Sequence, residues 1–338
     1  MSTTLKAGAS FLVLLLLSSL LTSCQGQKVY GTGYLKLEKI IPLPGVKGRI
    51  DHLDVNVKDG VVYIAALGNN TLEAVDLQRG KVIQSIKGLD EPQGVGFIPQ
   101  TNEVFVANGG NGLCYFYNAV TFQKVAAIHL SSDADDVRYD ASTGKIYVGY
   151  GEGGIAVIDA ATHRQTADVK LPVHPEGFQI DKKAGKLFVN LPDAHAVGEI
   201  DLKSMKLIKE WKTGSLYANF PMTLDTIHQL LFIGYRRPAR LAILDSQLGK
   251  MITMKTMTGD ADDLYYDVAT QRIYVSGGSG YIDIFKQRDP RTYIQIAHIP
   301  SRSGARTSLF IPQSHLFLLA ARASGGELAQ MMVYKTVQ

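Results

Sequence analysis

The amino-acid sequence predicts an all-β protein, a seven-bladed β-propeller whose blades are four-stranded antiparallel sheets. A short strand centred on an aromatic residue recurs about every 42 residues along the 338-residue chain. Further strand patterns flank each copy, and a spare strand precedes the first repeat while the last repeat is one strand short. A period of this length indicates a repeat fold, and four short strands in each repeat are typical of a propeller blade.

The most regular element is a tripeptide of β-branched, aliphatic and aromatic residues, the composition that favours a strand. Its copies are Val62-Tyr63-Ile64, Val104-Phe105-Val106, Ile146-Tyr147-Val148, Leu187-Phe188-Val189, Leu231-Phe232-Ile233, Ile273-Tyr274-Val275 and Leu316-Phe317-Leu318. The central aromatic residues are 41 to 44 residues apart. Such constant spacing over the whole chain indicates seven repeats.

Strand patterns on both sides of the aromatic residue complete each repeat. A turn and another strand follow it, and in four repeats that strand ends on an aspartate: Asp76, Asp159, Asp201 and Asp245. A polar turn and an outer strand come next. An inner strand precedes the aromatic residue, with apolar residues ten and eight positions ahead, as Leu53 and Val55 stand ahead of Tyr63. In the seventh repeat we place Thr307 and Leu309 at these positions.

The two ends of the chain predict how the ring closes. The seventh repeat ends at 331–335 and lacks an outer strand, whereas 34–41 reads as a strand with no repeat of its own. We expect this N-terminal strand to complete the last blade. That pairing would also cover a sheet edge that could otherwise template aggregation.

The first repeat resembles a known family. Val62-Tyr63-Ile64-Ala65, then Asn70-Thr71-Leu72-Glu73-Ala74-Val75-Asp76, then Gly80-Lys81-Val82-Ile83 follow the pattern of the YVTN-type β-propeller repeat, and Phe105-Val106-Ala107-Asn108 repeats its opening. The resemblance covers residues 34–338 and implies an exported bacterial propeller. It implies nothing about chemistry, because the family's proteins have largely unassigned roles.

The first residues read as a lipoprotein signal peptide. Lys6 precedes an apolar run at 11–17, which is short for a membrane span, and Leu21-Thr22-Ser23-Cys24 resembles a bacterial lipobox. We therefore predict a signal peptide at 1–23, acylation of Cys24, a linker at 24–33 and a propeller at 34–338. Gln25, in place of an aspartate that would retain a lipoprotein in the inner membrane, favours the outer membrane of the cell envelope, on its periplasmic or its extracellular side. Ordinary signal cleavage nearby is the alternative.

Composition is consistent with a compact domain. Hydrophobic residues make up 46% of the chain and charged residues 20%, and the net charge is +4 with both signs interspersed. Only Cys24 and Cys114 are present, so an acylated Cys24 leaves no disulfide within the chain. Cys114 lies in an apolar strand pattern, where we expect it to be a small buried residue. We expect a monomer.

Catalytic and cofactor motifs give little signal. Gly149-Tyr150-Gly151-Glu152-Gly153-Gly154 fits the dinucleotide pattern GxGxxG, but a strand pattern follows it, and a dinucleotide site needs a helix N-terminus there. We interpret this segment as a hairpin turn. The sequence contains no HExxH, CxxC, Walker or GxSxG motif, which favours a protein without chemistry of its own.

The candidate site lies where the inner strands begin, because those positions surround one mouth of a propeller channel. Carboxylates stand twelve residues ahead of the aromatic residue in four repeats: Asp51, Asp135, Glu176 and Asp262. The following position adds His52, Asp136, Asp263 and Arg306, and Arg49 and His174 lie nearby. The tetrapeptide at 133–136 recurs at 260–263.

These residues allow two interpretations. Carboxylates gathered around a narrow channel favour a bound cation, so Asp51, Asp135, Glu176 and Asp262 could hold a divalent ion such as calcium or zinc. Alternatively, an aspartate ahead of a strand often only caps its own turn.

A second surface pattern is a basic set in repeats five to seven: Arg236, Arg237, Arg240, Arg288, Arg291, Arg302 and Arg306, with Tyr235, Tyr281 and Tyr293. Arginine with aromatic residues can bind nucleic acid, but solvated loops explain the set equally well. We therefore do not predict a nucleic-acid partner.

The sequence thus leads to two functional hypotheses. The first is a lipid-anchored module of the cell envelope that binds a small ligand, a glycan or an envelope protein at the channel mouth. The alternative is a metal-assisted hydrolase or lactonase that uses the mouth carboxylates with His52 or His174, by analogy with other propellers.

Overall fold

The computed structural model describes Met1 and residues 28–337, which form a closed ring of seven four-stranded antiparallel sheets. Blades 1 to 3 consist of β2 (Leu53–Asn56), β3 (Val61–Ala66), β4 (Thr71–Asp76) and β5 (Lys81–Lys87); β6 (Pro92–Ile98), β7 (Glu103–Asn108), β8 (Leu113–Asn118) and β9 (Lys124–His129); and β10 (Val137–Asp140), β11 (Lys145–Tyr150), β12 (Gly154–Asp159) and β13 (Arg164–Lys170). The seven-bladed propeller predicted from the sequence is confirmed.

Blades 4 to 6 have the same order from the channel outward. They consist of β14 (Phe178–Asp181), β15 (Lys186–Leu191), β16 (Ala196–Asp201) and β17 (Lys206–Lys212); β18 (Tyr217–Asp225), β19 (Leu230–Arg237), β20 (Ala239–Asp245) and β21 (Met251–Thr256); and β22 (Ala261–Asp267), β23 (Arg272–Gly277), β24 (Tyr281–Asp289) and β25 (Thr292–Pro300). Three short 3-10 helices, η1 (Thr32–Tyr34), η2 (Leu67–Asn69) and η3 (Pro312–Ser314), are the only helices in the described part of the chain. None of them is long and apolar enough to cross a membrane.

The last blade joins the two ends of the chain, as the sequence predicts. It consists of β26 (Ser308–Ile311), β27 (Leu316–Ala321), β28 (Gln330–Thr336) and the N-terminal strand β1 (Leu35–Pro42), in the order β26-β27-β28-β1. Strand β1 pairs antiparallel with β28, from Leu35 opposite Thr336 to Pro42 opposite Gln330. Opening the ring therefore requires the breaking of a strand ladder.

The hydrophobic core lies between neighbouring blades. The aromatic residues of the second strands are buried, and side chains from adjacent sheets interdigitate; Phe105, for example, lies in one apolar cluster with Ile146 and Val148 of the next blade. Both faces of every sheet are therefore used, which explains the short continuous apolar runs of the sequence. Cys114 is buried in the same cluster, as predicted, and burial raises the pKa of its thiol.

The register of blade 7 differs by one residue from the sequence prediction. Leu309 pairs with Leu318, the pairing that Asp54 and Tyr63 make in blade 1, so Leu318 and not Phe317 occupies the central position. The sequence prediction was displaced because the aromatic residue of this strand, Phe317, lies one position earlier than Tyr63 does in blade 1. As a consequence, Arg306 is the blade 7 counterpart of Asp51, and Thr307 is the counterpart of His52.

Candidate functional site

The inner strands bring the predicted site residues together at one end of the channel. We name this end the charged mouth and define it by Asp51, His52, Asp135, Asp136, Glu176, Asp262, Asp263 and Arg306. The backbone fixes these positions alike in different blades: the amides of Asp51, Asp135 and Glu176 each donate to a carbonyl of the second strand of their own blade. Each side chain is thus held on a rigid ladder.

His52 lies among four carboxylates of the charged mouth. Its Nε2 is 3.6 Å from Asp136 Oδ1, 3.8 Å from Asp135 Oδ1 and 3.9 Å from Asp51 Oδ1, and its Nδ1 is 3.6 Å from Asp263 Oδ1. Burial lowers the pKa of His52, but the carboxylates outweigh burial and raise the pKa well above its ordinary value. The imidazolium therefore supplies positive charge where sequence analysis placed a metal ion.

Arginines pair with three aspartates of the charged mouth. Arg49 pairs with Asp51 at 2.6 Å and Arg138 with Asp136 at 2.8 Å. Asp262 pairs with Arg306 at 2.9 Å and also with Arg236. The mouth is therefore a mixed network of ion pairs rather than an open ring of carboxylates.

The pKa values of Asp51 and of the neighbouring His174 are also raised. Burial raises the pKa of Asp51 to about 7, although the positive charge of His52 opposes the shift. Burial lowers the pKa of His174, but Asp135 and the Gly151 carbonyl, which lies 2.7 Å from His174 Nδ1, raise it to about 9. His52 and the neighbouring His174 thus favour the protonated state at neutral pH.

Glu176 differs from its neighbours. Its side chain has no hydrogen bond or ion pair with any described residue, and burial together with the nearby charges of Asp135 and Asp262 raises its pKa well above the ordinary value. Among the described residues, no group of three or more His, Cys, Asp or Glu is placed to hold a metal ion. Three of the predicted calcium or zinc ligands have partners of their own: Asp51 pairs with Arg49, Asp135 lies near His52 and His174, and Asp262 pairs with Arg236 and Arg306. The fourth, Glu176, has none in the described part of the chain.

Sequence analysis missed Arg138 and did not place Arg236 at the channel mouth. Arg138 stands between the inner-strand residues Val137 and Tyr139, and a charged residue within that apolar pattern was the available signal. Arg236 and Arg306 belong to the charged mouth, where they neutralise acidic residues. Tyr235 and Tyr293 are buried because strand alternation directs them into the core, so they offer no stacking surface for nucleic acid.

The hairpin of blade 5 extends beyond the other blades at the charged mouth. Strands β18 and β19 are nine and eight residues long, and their ladder reaches the pair Tyr217 and Arg237. Tyr217 is 44% exposed, and its ring packs edge-on against His195 at 5.0 Å. The guanidinium group of Arg236, the residue before Arg237, lies over the Phe220 ring, 3.8 Å from its centroid.

Comparison with known proteins defines the fold class and nothing finer. No family model and no curated protein matches the chain. The chain is similar in structure to a chain of a mitotic checkpoint complex, with a TM-score of 0.74, 14% identity and coverage of 98% of this chain and 100% of that chain. It is also similar to a chain of Kuenenia stuttgartiensis hydrazine synthase, with a TM-score of 0.74, 13% identity and coverage of 93% and 99%. The WD40 repeats of RRP9 match with a TM-score of 0.74, 9% identity and coverage of 90% and 98%.

These likenesses agree with the architecture of the chain, a seven-bladed β-propeller. Membership of the YVTN-type family stays a prediction from the repeat pattern.

Proposed function

We propose that this protein is an exported β-propeller, anchored to the cell envelope through a lipid on Cys24, that binds a partner protein at the charged mouth. The observation that carries the proposal is the blade 5 hairpin, which holds exposed Tyr217 beside exposed Arg237 on a rigid ladder. Tyrosine and arginine are the residue types that most often dominate binding energy at protein interfaces. A structurally similar chain is part of a mitotic checkpoint complex, so a propeller of this shape can take part in an assembly.

The charged network beneath the hairpin supports a binding role. Its ion pairs hold one another in place, so the surface presented to a partner is preorganised and loses little side-chain entropy on binding. Arg49, Asp133 and Asp260 keep 43%, 53% and 44% of their side-chain surface exposed. Charges of both signs at the rim favour selection of a partner with a complementary pattern. No observation favours the hydrolase alternative.

A site-specific crosslink tests the partner surface. A photo-reactive phenylalanine replaces Tyr217 at the charged mouth or Ile227 at the opposite end of the channel, and the protein is irradiated in living cells. We expect one discrete protein adduct from position 217, lost when Arg237→Glu is added, and none from position 227. Adducts from position 227 alone, or an adduct from 217 that Arg237→Glu leaves unchanged, would contradict the proposal.

The anchor is tested separately, because Cys24 lies outside the described residues. Cells are fed an alkyne-labelled fatty acid, and the labelled protein is detected after membrane fractionation. We expect wild-type protein and Cys114→Ser to carry the label in the membrane fraction, and Cys24→Ser to carry none. Label retained by Cys24→Ser would disprove acylation at this residue.

A further inference from the structure

A cavity of about 440 Å³ occupies the channel behind the charged mouth. His52, Asp136 and Glu176 line it at the charged end, and it reaches Pro99, which follows the last residue of the inner strand β6. The volume lies within the range of small-molecule sites in proteins. The cavity therefore has room for a ligand of several heavy atoms, separate from the rim that carries Tyr217.

Apolar side chains form part of the cavity wall below its charged end. Val95, Phe97, Met222, Leu264 and Leu309 line the channel and supply surface against which an alkyl chain can pack. The polar groups along the walls mostly bond to neighbouring blades. Side chains that are occupied in this way leave little hydrogen-bonding capacity for a sugar or another polyhydroxy ligand.

Three polar side chains of the wall illustrate how their hydrogen-bonding groups are already used within the protein. Asp54 accepts hydrogen bonds from the amides of Val55 and Phe97, Gln179 donates to the Met222 carbonyl, and the Tyr265 hydroxyl donates to the Ser308 carbonyl. Burial nevertheless raises the pKa of Asp54 to about 6. Burial thus favours the neutral form of Asp54, although these hydrogen bonds and the nearby charge of Arg138 oppose the shift.

Glu176 is the carboxyl group left without a partner at the charged end. Asp136 pairs with Arg138, Asp262 with Arg306, and Asp263 with His52 and the Ser308 amide. Among the described residues no cation or donor contacts the Glu176 side chain, although Arg236 is near enough to oppose the rise in its pKa. A positive charge brought to this carboxyl group would favour its anionic form, and water screens the resulting attraction poorly.

We propose that the channel cavity binds a small organic ammonium ion, with its nitrogen against Glu176 and its alkyl part against the apolar walls. The apolar walls distinguish this ligand from a metal ion, for which no suitable group of side chains exists in the described part of the chain. Binding converts protonated Glu176 to its anion and releases one proton to solvent. The site does not depend on the partner surface proposed above, because it lies inside the channel.

Calorimetry with butylammonium chloride tests the proposal. We expect heat of binding for wild-type protein with release of one proton, measured from the dependence of the heat on the ionisation enthalpy of the buffer. Butanol, which has the same alkyl chain without the charge, should bind at least ten-fold more weakly. Glu176→Gln should bind butylammonium at least ten-fold more weakly than wild type and release no proton.

The matched control is Asp133→Asn, which removes an exposed carboxylate at the rim outside the cavity and should bind as wild type does. Thermal unfolding of each variant confirms that the ring is intact. The proposal is overturned if butylammonium does not bind wild type, if Glu176→Gln binds it equally well, or if calcium chloride binds in its place. Rim variants that lose the protein partner while butylammonium binding persists would separate this site from the proposed function.

Discussion

At the scale of single residues, His52 is the centre of the charged mouth. It belongs to blade 1, yet it faces carboxylates of blade 3 and blade 6 at 3.6 Å. One protonated side chain therefore links three blades that are not adjacent in the ring. Removal of one partner from a buried ion pair is strongly destabilising, because the remaining charges lose their compensation.

We predict that His52→Ala lowers the free energy of unfolding by about 3 kcal/mol and makes stability depend on calcium, since Asp51, Asp135, Asp136 and Asp263 would then face one another around an empty position. The measurement is urea unfolding with and without calcium chloride. His129→Ala, on an exposed strand end, is the control and should stay within about 0.5 kcal/mol of wild type. Equal stability of the two variants would show that the imidazolium has no structural role.

His174 predicts how stability varies with pH. It faces Asp133 and Asp135, and its folded-state pKa of about 9 exceeds its ordinary value of 6.5. A raised pKa gives stability that is complete below pH 6.5 and is lost as pH rises towards 9. Asp51 acts in the same sense, because its folded-state pKa of about 7 also exceeds its ordinary value of 3.8, but its loss of stability is largely complete by about pH 7.

We therefore expect the free energy of unfolding to fall by about 2 kcal/mol between neutral pH and pH 9. In His174→Gln, which cannot be protonated, the fall should be clearly smaller. Urea unfolding across this pH range in wild type and variant is the measurement. An unchanged pH profile in His174→Gln would assign the alkaline loss to another group.

The sequence predicted where the site residues lie, but it did not predict which side chains they pair with. The repeat period placed Asp51, Asp135, Glu176 and Asp262 at one mouth, because equal spacing from the aromatic residue means equal height in the channel. Pairing with Arg138 and Arg236 could not be predicted, since those contacts depend on side-chain direction and on separation across the ring. The charge of His52 also depends on burial, which no spacing reveals.

At the scale of elements, neighbouring blades are joined by close backbone contacts as well as by apolar packing. Gly94 lies so close to blade 3 that an added Cβ would be 2.0 Å from the Asp135 carbonyl oxygen and 2.5 Å from Val137 Cγ2. Asn190 and Asn219 are buried and hydrogen-bonded to one another between blades 4 and 5. Each interface therefore tolerates little change in volume.

Gly94→Ala should lower the free energy of unfolding by at least about 2 kcal/mol, because the new methyl group meets rigid backbone rather than a flexible side chain. The matched control is Gly33→Ala, where nothing lies within 4 Å and no left-handed φ is required. The measurement is the thermal unfolding of the two variants, which compares their stability. A Gly94→Ala protein as stable as Gly33→Ala would mean that blades 2 and 3 can separate without cost.

Strand β1 offers a second matched pair. Ile41 is fully buried in the apolar cluster between blades 1 and 7, whereas Ile40, its neighbour, is 47% exposed. We expect Ile41→Ala to cost about 2–4 kcal/mol and Ile40→Ala less than about 1 kcal/mol, as measured by urea unfolding. Similar costs for the two variants would contradict the burial of one strand face against the ring.

The elements were the most predictable part of the molecule. Period-two patterns and turn residues located the strands, and the surplus strand predicted at 34–41 is β1 at Leu35–Pro42. The register of blade 7 could not be settled by aromatic spacing, because Phe317 and Leu318 are both buried and either could occupy the central position. Hydrogen-bond pairing, which sequence does not display, decides it.

At the scale of the whole molecule, the ring is closed by pairing between the two ends of the chain. Every other blade is one continuous segment, so its interfaces with neighbours consist of side-chain contacts and isolated hydrogen bonds. Blade 7 alone ties distant parts of the sequence through a ladder of backbone hydrogen bonds. Its closure should therefore determine how slowly the ring opens.

A circular permutant tests this role. Linking Thr336 to Leu35 and starting the chain at Pro44 makes all seven blades continuous while preserving every strand. We expect the permutant to fold to the same structure but to unfold faster than wild type, because blades 7 and 1 can then separate without breaking a ladder. Stopped-flow unfolding in urea is the measurement, and equal unfolding rates would refute the closure argument.

The first positions of the inner strands also differ from blade to blade. Asp51, Asp135 and Asp262 are acidic, but the same position is Phe220 in blade 5 and Arg306 in blade 7. A turn of the propeller by one blade therefore does not superimpose the mouth on itself. A molecule that docks there therefore finds a matching charge pattern in only one rotational orientation about the channel axis. We expect one bound molecule per propeller, even though the scaffold has nearly sevenfold symmetry.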